Sequence, residues 1–402
     1  MELGPIWRAI MRNKGGYLLI ALQIAVTMAI MVNAIAIMQE RADEMARPSG
    51  VDEENIFSLA SDVFAPDIDQ KSLIDEDLDA LRNMPGIVNA MATNSFPLRQ
   101  GGWSMSLQLE PGAGKDTTGS AIYFVDEHGI DTFGTKLIDG ENFLPSEVAW
   151  NDPEVNTWPP LGIITQALGE EMFPDDEGSF VGKTVYVNDN DPVKIIGVVD
   201  RLQAPWKGWT GVERSMLVPQ RREGSDRYVI RTEPGMRDKL MPEVEEMLAT
   251  RSKDRIIRSV ATMDDTRRLA YIGDAAMIKL LTFIIILLTT ITGLGIVGLA
   301  SFSVTRRMRQ IGIRRALGAT RPAIVRYFMI ENFIVSTVGI VVGGILAVAL
   351  NVFMVQAFSL TPLAWYVIPI AMVVLWTVGQ VAVAGPARKA SNVSPAIATR
   401  SI

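Results

Sequence analysis

The chain has 402 residues, with 38 Lys and Arg against 45 Asp and Glu, a formal charge of −7 and 48% hydrophobic residues. It has no cysteine and one histidine, His128, which excludes disulfides and thiolate chemistry and argues against a histidine-built metal site or catalytic triad. So apolar a chain that is also 21% charged points to membrane segments joined to a water-soluble domain.

Residues 1–15 hold Arg8, Arg12 and Lys14 against Glu2 and read as a short amphipathic segment. Residues 16–38, GYLLIALQIAVTMAIMVNAIAIM, exceed the roughly 20 apolar residues that cross a bilayer. Ala34-Ile35-Ala36 resembles a signal-peptide cleavage site, but a signal's apolar core runs about 7–15 residues, so a retained first span is expected.

Residues 39–276 alternate helix and strand signals. DEDLDALRNMPGIVNAMATNSF predicts a helix broken at Pro85-Gly86 and then a strand. KTVYVNDNDPVKIIGVVD predicts a β-hairpin turning at Asn188-Asp189-Asn190. DRYVIRTEPGMRDKLMPEVEEMLATRSKDRIIRSVATM predicts strand, helix, strand, the helix entered past Glu233-Pro234 and striped by Leu240, Val244, Met247 and Leu248. Two βαβ-like units, one near each end, suggest an α+β domain built from related halves. His128, in the turn-like VDEHGID, is expected at the surface. The many carboxylates stand in no fixed spacing to a nucleophile and read as a solvated face.

EPGAGKDTTG mimics a phosphate-binding loop, yet the motif needs Gly at Leu109 and Ser or Thr at Asp116. An aspartate there would repel the nucleotide and lacks the metal-binding hydroxyl. No nucleotide is expected on this segment. At the domain's end, Leu269, Ile272, Ala276 and Leu280 form an apolar stripe at helical spacing. Together with MQERADEMA after the first span, it predicts stalk-like helices carrying the domain.

Three more apolar stretches follow, at 277–304, 324–355 and 365–384. Between the first two, RRMRQIGIRRALGATRPAIVR carries seven arginines and no acid, and the tail 385–402 carries Arg388, Lys389 and Arg400 without an acid. Short loops rich in Lys and Arg stay in the cytoplasm, so both termini and the 305–323 loop are expected there. Segment 39–276 has 24 Lys and Arg against 43 Asp and Glu, a net of −19; the remainder has 14 against 2, a net of +12. The acidity of the chain is therefore expected outside the cytoplasm. The fold expected is a membrane α-helical one, four transmembrane helices with a large α+β periplasmic domain inserted between helices 1 and 2.

Gly312-Ile313-Arg314-Arg315-Ala316-Leu317-Gly318-Ala319 reads as a short helix closed at Gly318. Thr320 stands as N-cap of the next helix, with Pro322 in its first turn. Such an element is a rigid knob rather than a loose basic patch. In the following span Glu331, beside Asn332, reads equally as an intramembrane functional carboxylate or as a group reaching the interface. Gly339 and Gly343, and the set Gly293, Gly295 and Gly298, could let helices approach closely in a dimer.

RRMRQIGIRRALGATRPAIVRYFMIENF resembles the cytoplasmic loop of FtsX-like and MacB-type ABC transporter permeases. The tail GPARKASNVSPAIATR, with Pro386-Ala387-Arg388 and Ser394-Pro395-Ala396, is similar to the family's ending, and GEEMFPDDEGSFVGKTVYVNDNDPVKIIGVV to its external core domain. The resemblance implies a permease subunit of a type VII, mechanotransmitting ABC transporter in the bacterial inner membrane. It makes Gly312 to Ala319 the coupling helix for an ATPase, with Ile313 and Leu317 as apolar anchors and Arg314 and Arg315 as polar contacts. The chain departs from the family at Gln310, where Glu is frequent, so an amide stands where an ion pair to the ATPase could form.

No catalytic residue, metal or cofactor is expected on this chain, ATP and Mg²⁺ belonging to a cytoplasmic ABC ATPase expected as a separate polypeptide. A second permease chain, identical or paralogous, and membrane lipid are the other implied partners; nucleic acid is not one. For efflux of a periplasmic substrate, a periplasmic adaptor and a TolC-like outer-membrane channel are implied. Release of lipoproteins, or FtsX-like control of a cell-wall hydrolase, are the alternatives the same plan allows.

Overall fold

The computed structural model describes residues 11, 14–65, 67–152, 154, 158–176, 178–224, 227–358 and 362–394. Most of the 1–15 segment, together with Pro395, Ala396 and Arg400 of the tail, lies outside the described residues. The chain divides into two compact units, Met1–Met45 with Gly273–Ile402, and Ala46–Ile272.

Helix α1 (Lys14–Ala46) is continuous for 33 residues, about 50 Å at 1.5 Å per residue, and longer than a bilayer core of about 30 Å. Ala34-Ile35-Ala36 lies inside it without a break.

The inserted unit begins with β1 (Ile56–Val63), α2 (Gln70–Arg82) and β2 (Ile87–Thr93). Asp69 caps α2 by accepting from the backbone N–H groups of Lys71 and Ser72, and the chain leaves through Gly86 at φ +89°. Next come β3 (Trp103–Leu107), β4 (Thr118–Val125), α3 (Gly129–Phe133), β5 (Leu137–Gly140), β6 (Ala149–Trp150), β7 (Leu161–Thr165) and α4 (Gln166–Met172). The hairpin of β8 (Thr184–Val187) and β9 (Asp191–Val199) turns through Asn188 and Asp189, both at positive φ, as the turn residues require. β10 (Ser215–Arg221), β11 (Arg227–Thr232), α5 (Arg237–Arg251), β12 (Arg255–Thr262) and α6 (Met263–Ala270) complete it.

The two βαβ units do not sit side by side; they interlock. One sheet has the order β12-β1-β11-β2, with every neighbouring pair antiparallel. β1 and β2 are therefore parallel with β11 between them, and β11 and β12 are parallel with β1 between them, a double split βαβ arrangement. Alternation along β1 sends Phe57 and Leu59 to a core with Leu78 and Leu81 of α2 and Leu240, Val244 and Leu248 of α5. Ile56 of β1, Met91 and Val229 face the opposite way and join Tyr123, Val125, Ile163 and Leu217 of the second sheet. That sheet, with the path β3-β4-β10-β7-β9-β5, buries Ile122, Phe124, Ile164 and Val218 on its far side with Leu168 and Met172 of α4. Both sheets are thus covered on both faces.

Charged groups pin the interlock. Asp77 of α2 and Arg255 of β12 are fully buried and ion-paired, and the Tyr228 hydroxyl donates to Asp77 at 2.9 Å. Arg255 Nε also donates to the Leu248 carbonyl at 3.1 Å, which supplies the further hydrogen bonding that a buried pair needs. Near the unit's two ends Arg267 meets Glu53 at 2.5 Å, and Ser49 donates to the same carboxylate. Burial alone would raise the Glu53 carboxyl, but the bonds from Arg267 and Ser49 outweigh it and hold it below the usual carboxylate range.

His128 lies half-buried before α3, with Nδ1 3.1 Å from the Asn89 amide. Lys115 of the phosphate-loop mimic is held by Glu110 at 2.5 Å, and no metal-type cluster of His, Cys, Asp or Glu occurs among the described residues.

The expected continuous stalk helix is interrupted. α6 ends at Tyr271, which donates backbone bonds to the Arg267 and Leu269 carbonyls, and α7 (Ile272–Arg306) starts anew. Leu269, Ile272, Ala276 and Leu280 are all exposed within the chain. α1 and α7 meet instead through Arg41 and Asp274, Nε to Oδ1 3.8 Å.

α8 (Met308–Ala316), α9 (Arg321–Phe358) and α10 (Val367–Ser391) complete the chain. α1, α7, α9 and α10 are long and apolar enough to cross a membrane. Over its most apolar window α1 is 56% buried and α7 only 11%, so α1 is the central helix and α7 the peripheral one. α10 buries Val367, Ala371, Leu375, Gly379, Val383 and Ala387, one residue per turn along a single face.

Candidate coupling site

The basic block folds into α8 and its two flanks. α8 starts four residues before the expected Gly312 and stops at Ala316, so the knob is longer on its N-terminal side than the glycine spacing implied. Its end is a Schellman motif: the Gly318 N–H donates to the Arg315 carbonyl at 3.1 Å and the Ala319 N–H to the Arg314 carbonyl at 3.0 Å. Gly318 holds φ +96° with open space around it, so the backbone angle alone requires glycine there. Thr320 directly precedes α9 and its carbonyl accepts from the Ile324 N–H at 3.3 Å.

Alternate faces of α8 have opposite fates. Ile311 and Gly312 are buried in the bundle. Ile313 is 47% exposed and Leu317 83% exposed, two large apolar side chains on the outward face with Gln310 and Ala316 also exposed. The two arginines expected as matching outward contacts differ. Arg314 is exposed, with its guanidinium over the Tyr327 ring 5.0 Å from the centroid, while Arg315 is half-buried. Ala319, after the turn, is half-buried as well. A cavity of about 30 Å³, room for one water, separates α8 from α9 between Gln310, Arg314, Ile324 and Tyr327.

Sequence reasoning placed Arg307 among the loop's general positive charge and left Glu331 undecided. The structure joins them. Glu331 is 3% exposed, one of only two acids outside 39–276, and Arg307 Nη1 donates to its two oxygens at 2.9 and 3.1 Å. The Tyr17 hydroxyl of α1 donates to Glu331 at 2.6 Å, and Arg307 Nη2 reaches that hydroxyl at 3.4 Å. Ser303 of α7 stands 3.5 Å from the same hydroxyl. One carboxylate therefore ties the loop before α8 to α1, α7 and α9. A cavity of about 30 Å³ beside it is lined by Tyr17, Ser303, Glu331 and Asn332. The signal available in the sequence was that Glu331 has no other acid near it among seven arginines.

Gly339 and Gly343 serve this chain rather than a dimer. A Cβ on Gly339 would lie 2.7 Å from the Ala21 carbonyl oxygen, and one on Gly343 2.6 Å from that of Ala25. Their groove is filled by α1, and Asn33 locks the same interface by donating to the Ala347 carbonyl at 3.1 Å. Of the other set, Gly295 is crowded by Gln23 of α1, whereas Gly298 faces open space.

Two family models match the chain: a MacB-like periplasmic core domain over residues 18–247 and an FtsX-like permease C-terminal over residues 282–395. The chain is 30% identical over 263 residues to the macrolide export ATP-binding/permease protein MacB of an Azoarcus strain, covering 60% of this chain and 37% of that protein. It is 24% identical over 348 residues to the uncharacterised ABC transporter permease YknZ of Bacillus subtilis, covering 82% and 80%. The chain thus spans about two fifths of the length of the macrolide export relatives it matches. The periplasmic region of MacB from Actinobacillus actinomycetemcomitans aligns at 17% identity over 55% of this chain and 94% of that one, with a TM-score of 0.35, too low to carry an argument. The matched regions run from the first span through most of the inserted domain and from within the second span into the tail, and on them the chain belongs to the MacB/FtsX-like family of ABC transporter permeases.

Proposed function

We propose that this chain is the membrane subunit of a type VII ABC transporter, passing ATP-driven movement from a cytoplasmic ABC ATPase to the inserted domain on the other side of the inner membrane. The observation that carries this is α8: a helix with a fixed end presents Ile313 and Leu317 outward while its inner face and Arg307 are anchored in the bundle. A docked protein that pushed on Ile313 and Leu317 would displace the Arg307–Glu331–Tyr17 network, and with it α1 and α9 together. In this reading the exposed Ile313, Leu317, Gln310 and Arg314 form the contact surface, and the half-buried Arg315 helps to hold α8 on the bundle.

In this reading the chain binds no cofactor, and ATP and Mg²⁺ act on the ATPase. Two permease chains would flank one pair of ATPases. The four spans are mostly apolar, which fits force transmission better than a polar conduit. Cargo would then be moved by the inserted domain in the periplasm, with an adaptor and an outer-membrane channel completing an efflux route. The test is affinity purification from native membranes in mild detergent, comparing the chain with its Ile313→Asp/Leu317→Asp variant. Recovery of an ABC ATPase with the parent and its loss from the variant supports the reading. Equal recovery with both removes α8 as the docking element.

A further inference from the structure

The bundle carries a second feature, next to the coupling network. Between α1 and α9, at the end bearing the arginines, lies a groove of about 310 Å³, whose lining includes Lys14, Tyr17, Leu18, Ile334, Val335 and Val338. Apart from the Lys14 amine and the Tyr17 hydroxyl, which is bonded to Glu331, its side-chain lining is apolar. That suits a hydrocarbon chain. A helix, about 10–12 Å across with its side chains, would lie across the groove rather than inside it.

The mouth of the groove is cationic. α1 and α9 run parallel, since Tyr17 meets Glu331, Ala21 meets Gly339 and Asn33 meets Ala347. Lys14, one turn before Leu18, is therefore at the arginine-bearing end. Arg326 precedes Ile330, Ile334 and Val338 at four-residue intervals and shares their face of α9, exposed, two turns below the groove. Among the described residues neither cation has an acidic partner; Glu331, the one acid nearby, is taken by Arg307.

We propose that this groove holds one acyl chain of an anionic phospholipid, whose phosphate sits between Lys14 and Arg326. A single apolar slot with two cations at its membrane-surface end matches a molecule with a long hydrocarbon tail and one negative head. Each cation near a membrane surface favours an anionic head about five-fold, so the pair favours it about 25-fold over a zwitterionic one.

The experiment is native mass spectrometry of the full chain in mild detergent, titrated with equal amounts of phosphatidylglycerol and phosphatidylcholine. The parent is expected to retain one phosphatidylglycerol per chain in clear excess. Lys14→Gln/Arg326→Gln should lose that preference by about 25-fold while still accepting either lipid. Val338→Trp, at a half-exposed position where folding is not at stake, should lower retention of both lipids alike. Equal retention of the two lipids by the parent, no retained lipid at all, or a Val338→Trp variant that binds as the parent does would each overturn the proposal.

Discussion

Arg307 and Glu331 form an ion pair with one partner in the basic loop and the other inside the bundle, the arginine nitrogen 2.9 and 3.1 Å from the two carboxylate oxygens. Removing either partner alone strands a buried charge, which costs about 3–5 kcal/mol. Glu331→Met and Arg307→Met are each expected to lower thermal stability in detergent strongly, and the double variant to recover most of the loss. ATPase stimulation by the permease should not recover with it, because the apolar pair no longer orients Tyr17 and the loop. Full recovery of both stability and stimulation would reduce the pair to a packing role.

Leu317 and Ile313 should separate docking from folding. Both are exposed, so replacing each by Asp is expected to shift stability by no more than about 0.5 kcal/mol. ATPase association, measured by pull-down, should fall by more than ten-fold. Gly318→Ala should behave differently, costing about 1 kcal/mol or more because φ +96° suits glycine alone, and weakening docking only as far as the helix end frays.

Gly343→Leu forces a side chain against the Ala25 carbonyl and Met28. A loss of about 1–3 kcal/mol or a failure to accumulate in the membrane is expected. Gly298→Leu faces open space, and its thermal transition should match the parent. Matching losses at both glycines would contradict the assignment of the Gly339–Gly343 groove to α1.

In the inserted domain Asp77→Ala leaves Arg255 buried without its carboxylate and should cost about 3–5 kcal/mol, read by urea unfolding of the domain's fluorescence. Asp77→Ala/Arg255→Met should be less damaging than Asp77→Ala alone.

Glu53 sets a pH dependence whose sign follows from its depressed pKa. An acid held below its unfolded value stabilises the fold in full above that unfolded value. The contribution fades as pH falls through the folded one. Glu53→Gln should therefore cost about 1–2 kcal/mol at neutral pH and flatten the acid side of the stability profile. A profile with an unchanged acid limb would show that the Arg267 contact contributes nothing.

How much of this was legible in the residues depends on the range of each interaction. Four spans, the 188–190 turn and the Leu240–Val244–Leu248 stripe follow from local period and turn chemistry, and they fold as expected. Gly339 and Gly343 announced a close helix approach, but spacing cannot say whether the approaching helix belongs to the same chain. Glu331 and Arg307 lie 24 residues apart across a loop, so nothing local joins them. The strand order β12-β1-β11-β2 was equally hidden, because two βαβ units can lie side by side or interlock with the same pattern of residues.

That strand order has a consequence for how such a chain can change over time. Phe57 near the start of the inserted unit pairs with Thr262 near its end, and Thr93 pairs with Arg227 at the point where the second sheet's segment is spliced in. Each splice therefore enters and leaves through neighbouring strands, about 5 Å apart, like nested cassettes on a common hairpin. Evolution, or an engineer, can lengthen or exchange the inner cassette without moving the strands that frame it. The inner cassette is thereby free to diversify while the strands that frame it keep their geometry.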